Sequence, residues 1–301
     1  MSLGAIDVDF ALWKVIVLAI VQGLTEFLPI SSDGHLAIVS PLLNGGDTPE
    51  GMLGLTIILH LGTLASILVY YHRRILRLLG EDRRVAVAIV IGSIPVGILG
   101  ILAKKWDKVV GLFHLNPEPQ LGGVPMSQWA EVVLTNPFLA GVMLVVTGLA
   151  LLFIQRCPPG ETEYSQITLG RAWWIGCFQA LAILPGLSRS GMTISSGVGN
   201  GLTRPSAAAF SFLLAIPALA AAGLLETKEL IESRSLTTPV SHLLIGVTVS
   251  FVVGLIALSW LNRLLERGKL HYFAWYCFAL AIVVIAWQGT RAAGWEVARL
   301  E

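Results

Sequence analysis

The sequence predicts an all-α polytopic membrane protein: one integral domain over residues 1–301, an inverted-topology repeat with two re-entrant helical hairpins and about six full transmembrane helices. Three observations carry that prediction. Hydrophobic residues make up 55% of the chain and charged residues only 13%, where soluble domains carry about 25%; the mean hydropathy is +0.76. Six stretches approach the roughly 20 apolar residues that a spanning helix requires. Two further apolar regions are each interrupted by polar groups, which hydrocarbon tolerates only where protein or trapped water satisfies them.

Taken in order, the first region, about 11–43, is broken by QGLTEFLPISSDGH, Gln22 to His35. Pro29 ends the first half-helix by removing a donor and crowding the preceding turn, and Gly34 permits the reversal. Ser31, Ser32 and Asp33 stand where N-caps of a second half-helix belong. Spans follow at about 55–70, 86–103 and 137–155. The region at about 172–203 repeats the pattern, broken by PGLSRSGMT, with Pro185, Gly186 and Gly191. Spans at about 206–224, 241–261 and 272–289 follow it. Pro95 and Pro217 fall inside spans and predict kinks, while Gly97 and Gly100 allow close helix approach.

The two broken regions can be laid on each other within one residue, Gln22…Pro29 to Gly34 on Gln179…Pro185 to Gly191. This divides the chain into repeat 1, about 1–157 with the hairpin at 11–43, and repeat 2, about 158–301 with the hairpin at 172–203. An odd number of crossings between the copies inverts the second, the pattern in which sites form at mid-membrane between broken helices. Arg73, Arg74, Arg77, Arg83 and Arg84 in one loop, and Arg263, Arg267 and Lys269 in another, place those loops in the cytoplasm. Alternation then puts the loops at about 104–136 and 225–239 and both termini outside, with Lys104, Lys105 and Lys108 mildly against it. In the 104–136 loop, Asn116–Pro117–Glu118–Pro119 and Gly122–Gly123 read as turns and Trp129 as an interface residue.

Several classes are excluded. A net charge of +1 with no basic tail gives no sign of a nucleic-acid partner. Cys157, Cys177 and Cys277 are far apart and imply neither a disulfide framework nor a zinc site. Asp7 and Asp9 stand where a signal peptide would be positive, so the N-terminal segment is expected to be retained.

The polar motifs hold the candidate chemistry. A carboxylate such as Glu26 costs about 2.5–3.5 kcal/mol to insert in an apolar run, so it is expected to face a wet interior as a metal ligand or as the orienter of a base, against a structural carboxylate tied to hydroxyls. Gln22 lies one turn before it on the same face. Ser32 and His35, spaced i, i+3, have the makings of a hydroxyl nucleophile beside an imidazole base, with plain N-capping as the serines' alternative. Asp33 reads as a cap or a metal contact. Arg189 needs an anion, and its fork suits phosphate, with Ser188, Ser190, Thr193 and the helix-start amides as further donors. The other reading of Arg189 is an internal ion pair to Glu26, compatible with the first. His60 could line the site, although packing accounts for it as well; His72, His114, His242 and His271 take no role.

These motifs resemble those of the undecaprenyl pyrophosphate phosphatase family, integral membrane enzymes also known as bacitracin-resistance proteins. The likeness extends over essentially the whole chain, including LHLGTLASI at 59–67 and FSFLLAIP at 210–217. It implies hydrolysis of undecaprenyl pyrophosphate to the monophosphate carrier of cell-wall precursors, with a divalent cation, Mg²⁺ or Ca²⁺, at the outer side of the bacterial cytoplasmic membrane. By position it implies functional roles for Gln22, Glu26, Ser32 and His35 and for Ser188, Arg189 and Thr193; Ser31 and Ser190 are expected to join them in binding substrate. Position 22 is Gln where many members have Glu, which removes one acidic ligand, and Asp33 is the motif's variable position.

Membrane acid phosphatases of the other type place a lysine before an arginine motif and a second histidine after their Ser-Arg pair. Here no lysine precedes Arg204–Pro205 at suitable spacing, and the first histidine after Arg189 is His242. Two assignments of the nucleophile stay open, Ser32 with His35 as base or His35 itself. A lipid-phosphate transporter is the rival function, since inverted repeats of broken helices also build transporters. The expected partners are the polyprenyl pyrophosphate substrate and membrane lipid, and a homo-oligomer is compatible with the sequence.

Overall fold

The structure is a computed structural model that describes residues 11–44, 52–105, 120–121, 124–125, 133, 136–158, 160–233 and 238–298. Eleven α-helices are present among them: α1 (Leu12–Thr25), α2 (Ser32–Leu43), α3 (Met52–Tyr70), α4 (His72–Leu78), α5 (Arg83–Lys104), α6 (Pro137–Arg156), α7 (Leu169–Leu181), α8 (Arg189–Gly199), α9 (Arg204–Ser233), α10 (Val240–Glu266) and α11 (His271–Ala298). Asp7, Asp9, the Asn116–Pro119 and Gly122–Gly123 turns and Trp129 lie outside the described residues. Gln120–Leu121 and Val124–Pro125 form a short antiparallel pair, Leu121 opposite Val124.

All six predicted spans are helical. Among the described residues five helices are long and apolar enough to cross a bilayer alone, and α3 with α4 forms a sixth candidate bent by 74°. Two expected loops are partly helical: the arginine-rich loop after α3 contains α4, and α9 runs on to Ser233. Residues such as Phe153, Ile282, Ile101 and Leu149 stand exposed on the bundle surface, as a lipid-facing wall requires.

Close approach between helices is set by small residues, because lipid tails offer no hydrophobic contrast to drive association. A Cβ on Gly62 of α3 would stand 2.0 Å from Ser250 Oγ of α10, and one on Gly176 of α7 would stand 2.1 Å from Gly92 O of α5. Ser66 Oγ donates to Phe251 O at 2.8 Å across the α3–α10 contact. The packing exchanges between halves: α1 lies on α10 as α7 lies on α5, and α6 lies on α11.

Four of the five short helices, α1 with α2 and α7 with α8, form the two predicted hairpins. α1 has 14 residues and α2 12, about 21 and 18 Å at 1.5 Å per residue, too short for a hydrocarbon core of about 30 Å. Both second half-helices begin alike. Ser31 Oγ accepts from Gly34 N at 3.4 Å, and Ser188 Oγ accepts from Gly191 N at 3.1 Å. Gln22 precedes Ser31 by the same nine positions that separate Gln179 from Ser188, so the caps rather than the prolines set the register between the two motifs.

Candidate active site

The backbone freed at the two breaks is satisfied from elsewhere in the bundle. Leu28 O accepts from Ser190 Oγ at 3.3 Å and Pro29 O from the Cys277 thiol at 3.6 Å. In the second break Thr147 of α6 donates to Gly186 O at 3.2 Å and accepts from Ser188 N at 3.0 Å. The breaks also touch: a Cβ on Gly34 would stand 3.8 Å from Gly186 Cα. Phe27, fully buried, packs edge-on against Phe212 of α9 with ring centroids 5.6 Å apart. Apolar packing thus holds the polar loops in place from below.

Glu26 is the hub of what the breaks enclose. Its Oε1 accepts from Arg189 Nη2 of the other half. Its Oε2 accepts from Ser32 Oγ at 2.7 Å and from Gln22 Nε2 at 3.0 Å, and stands 3.6 Å from His60 Nε2. Glu26 is only 6% exposed, so a charge in this low-dielectric setting demands such partners. Two atoms beside it have none: Gln22 Oε1 and Arg189 Nη1 are buried without a hydrogen-bond partner. An unused acceptor and an unused guanidinium donor, on two residues that both bond to Glu26, suit a site that takes a cation and an anion.

His35 sits at the same helix start but points elsewhere. A carbonyl can only accept, so Nδ1 donates to Ser31 O at 2.7 Å and Nε2 accepts from Tyr276 Oη of α11, also at 2.7 Å. The two rings stack with 5° between their planes. The expected i, i+3 couple of Ser32 and His35 is therefore adjacent in sequence register yet not hydrogen-bonded: Ser32 turns to Glu26. The imidazole is turned by its bond to the carbonyl one turn back, the same i−4 contact that His60 makes with Thr56 O at 2.8 Å. Ser31 itself adopts φ +69°, a left-handed conformation rare outside glycine.

The remaining predicted residues divide. Ser188 and Ser190 hydroxyls lie 3.2 Å apart at the second break. Thr193 donates to Arg189 O at 2.7 Å or shares its hydrogen with Ser211 Oγ at 2.5 Å, so it braces the turn carrying Arg189. Ser31 caps α2. Asp33 is exposed, with Oδ1 3.9 Å from His60 Nε2. Four residues beyond the predicted set stand in or behind the site: His60, for which the sequence leaves lining and packing both open, and Tyr276, Thr147 and Ser211. A signal for the first exists, since Thr56, His60 and Thr63 recur at helical spacing along a spanning helix. Among the described residues no group of three His, Cys, Asp or Glu is gathered tightly enough to hold a metal ion by itself.

The fold and site define an integral membrane protein with a buried carboxylate, hydroxyl and guanidinium assembled from two broken helices. A family model described as bacitracin resistance protein BacA matches residues 15–283, and the chain belongs to that family. It is 44% identical over 273 residues to a protein of Rhodopirellula baltica named undecaprenyl-diphosphatase, covering 90% of this chain and 96% of that one. Proteins of the same name from Desulfatibacillum aliphaticivorans and Mycobacterium ulcerans are 38% and 36% identical, over 90% and 91% of this chain and 97% and 95% of their own.

Proposed function

We propose that this chain hydrolyses undecaprenyl pyrophosphate to undecaprenyl phosphate and inorganic phosphate, recycling the lipid carrier of cell-wall synthesis and conferring bacitracin resistance. The observation that carries the reading is the convergence of Ser32 and Arg189, one from each broken helix, on the single buried carboxylate of Glu26. The relatives' name supports the same substrate.

In this reading Arg189 grips the pyrophosphate, its free Nη1 joined by the Ser188 and Ser190 hydroxyls and the positive end of α8. Ser32 Oγ bonds to the terminal phosphorus while the bridging P–O bond breaks. The hydroxyl proton passes to Glu26 Oε2, which hands it to the departing monoester. Water then attacks the phosphoserine, giving a proton to Glu26, which returns it to Ser32 as phosphate leaves. The geometry favours Ser32 over His35 as nucleophile because only the serine rests on a base; Nε2 of His35 faces Tyr276.

A hard cation suits the oxygens present. Glu26 and the unpartnered Gln22 Oε1 would hold Mg²⁺ or Ca²⁺ together with phosphate oxygens and water, and the ion would supply Lewis-acid stabilisation of the phosphoryl charge. The paired capping serines and the exchanged helix contacts support an inverted repeat, 1–157 against 158–301. The arginine-rich loops support a bacterial cytoplasmic membrane topology with the site opening outward.

The deciding experiment is phosphate release from undecaprenyl pyrophosphate by the pure protein in detergent, with and without chelator. Chelator-sensitive release, abolished by Ser32→Ala with labelled phosphate trapped in acid-stable form on the wild type, is expected. Full turnover by Ser32→Ala removes the serine, acid-labile label moves the role to His35, and lipid movement without phosphate release overturns the enzyme in favour of a transporter.

A further inference from the structure

A second polar recess lies at the other end of α3. Where α3 gives way to α4 the chain bends by 74°, and beside the bend is a cleft of about 390 Å³ lined by Tyr70, Tyr71, His72, Arg73, Arg74 and Asn262. Tyr70 stands ten residues beyond His60 on the same helix, about 15 Å along its axis. The cleft is therefore separate from the site around Glu26.

Its lining is rich in donors and short of acceptors. The Arg74 guanidinium is held between two aromatic rings, 5.5 Å from the centroid of Tyr71 and 4.7 Å from that of Tyr164. Its Nη1 has no hydrogen-bond partner. Arg77, one turn further on, has Asp82 at 3.6 Å and the Tyr164 hydroxyl, so the neighbouring carboxylate is already taken. Asn262 Nδ2 places one of its two hydrogens on Leu258 O at 2.9 Å, and the other serves the pair of phenol oxygens Tyr70 Oη and Tyr71 Oη, each 3.3 Å away. The O–H groups of the two phenols remain as donors on the cleft wall. α9 begins at Arg204, and Pro205 brings its positive end to the same wall. Glu266 is the carboxylate on the lining, against the charges of Arg73 and Arg74.

The neighbouring turns of α3 and α4 carry exposed apolar side chains. Leu68 and Val69 on the last turns of α3, and Leu76 and Leu79 on and after α4, are 41%, 50%, 64% and 74% exposed. A recess of unpaired donors with an exposed leucine-rich skirt matches an amphiphile with an anionic head, not a free ion.

We infer that this cleft is a headgroup site for an anionic phospholipid of the leaflet facing the arginine-rich end, its phosphate on Arg73, Arg74 and the Tyr70 and Tyr71 hydroxyls, its chains along Leu68, Val69, Leu76 and Leu79. Under the positive-inside rule that is the cytoplasmic leaflet. The assignment does not rest on the phosphatase reading, and loss of the site leaves phosphate release intact.

The test is lipid retention by the full chain in native mass spectrometry, with dioleoyl phosphatidylglycerol, dioleoylglycerol and inorganic phosphate as probes. Arg73→Ala combined with Arg74→Ala is expected to weaken phosphatidylglycerol retention at least about tenfold, the scale of a lost charge-assisted hydrogen bond, with dioleoylglycerol unaffected. Retention equal to wild type overturns the site. Displacement of the lipid by inorganic phosphate overturns the lipid source and leaves a free-anion pocket. Should the double variant fail to fold, Asn262→Ala is read instead, because it spares both arginines: weakened retention supports the site and unchanged retention overturns it.

Discussion

Arg189 and Glu26 are 163 positions apart in the chain and form a buried ion pair, Nη2 on Oε1, at the meeting of the two broken helices. One partner is 19% exposed at its side chain and the other 4%. Removing either partner of such a pair leaves the other uncompensated, at about 3–5 kcal/mol. Arg189→Ala is therefore expected both to lower the melting temperature and to reduce phosphate release by about a hundredfold or more. Arg189→Lys should recover most of the melting temperature and little of the turnover, since an ammonium restores the charge without the fork. Full turnover by the lysine variant would show that the planar grip is not used.

The hydrogen bond from Ser32 to Glu26, 2.7 Å long, makes a second expectation quantitative. If the two act as one unit, Ser32→Ala and Glu26→Gln each cost about the same large factor in kcat, and the double variant costs little more. Strictly additive losses in single-turnover phosphate release would mean that hydroxyl and carboxylate work in separate steps.

His60 is the residue whose role the sequence leaves undecided. Its Nδ1 donates to Thr56 O at 2.8 Å, which turns Nε2 toward Glu26 at 3.6 Å and Asp33 at 3.9 Å. A ring so placed helps balance two carboxylates. His60→Leu is expected to cut kcat by about tenfold, the low end of a lost buried charge-assisted contact, while His60→Gln retains more; equal activity in both variants and wild type would return His60 to a packing role.

How much of the molecule is legible in the sequence depends on the length scale of each signal. The six spans are readable because a run of roughly 20 apolar residues is long enough to cross hydrocarbon and too apolar for a loop, and the two breaks because proline and glycine interrupt such runs with charges alongside. The meeting of the halves at Glu26 and Arg189 is readable as a compatibility of charges. α4 is not, because HRRILRL is short and carries its arginines around an apolar face, so it reads as a charged loop. The Ser32–His35 spacing gives proximity and cannot reveal direction, because the partners that hold the imidazole are the Ser31 carbonyl one turn back and the Tyr276 hydroxyl of a distant helix. Tyr276 and Thr147 come from helices far along the chain, and a lone hydroxyl in a span carries no pattern until the fold brings it to a break.

The unpartnered Gln22 Oε1 gives a fourth expectation. Gln22→Ala should raise the Mg²⁺ concentration needed for half-maximal phosphate release by about tenfold, with kcat at saturating metal nearly unchanged, and Gln22→Glu should lower it by adding a charged ligand. A metal titration that is identical in all three proteins would place the cation elsewhere or leave Gln22 out of its shell.

Gly186 allows the second break to be tested apart from chemistry. Its φ of +83° is one that side chains with a Cβ rarely adopt, and a Cβ there would stand 2.0 Å from Ala140 O, a backbone atom that cannot rotate away. Its carbonyl also accepts from Thr147, whose oxygen in turn accepts from the amide of Ser188, the cap of the helix that presents Arg189. Gly186→Ala must therefore move the break, and is expected to lower stability by more than the about 1 kcal/mol typical of glycine conformational effects and to lose phosphate release with it. Gly97, inside α5 with nothing within 4 Å of its would-be Cβ, is the control: Gly97→Ala should be neutral or stabilising by up to about 1 kcal/mol, as alanine is favoured in a helix interior. Equal melting temperatures for the two variants would mean that the break yields without strain, and then the rigid placement of Arg189 that the proposed mechanism needs would have to come from Thr193 and Ser211 instead.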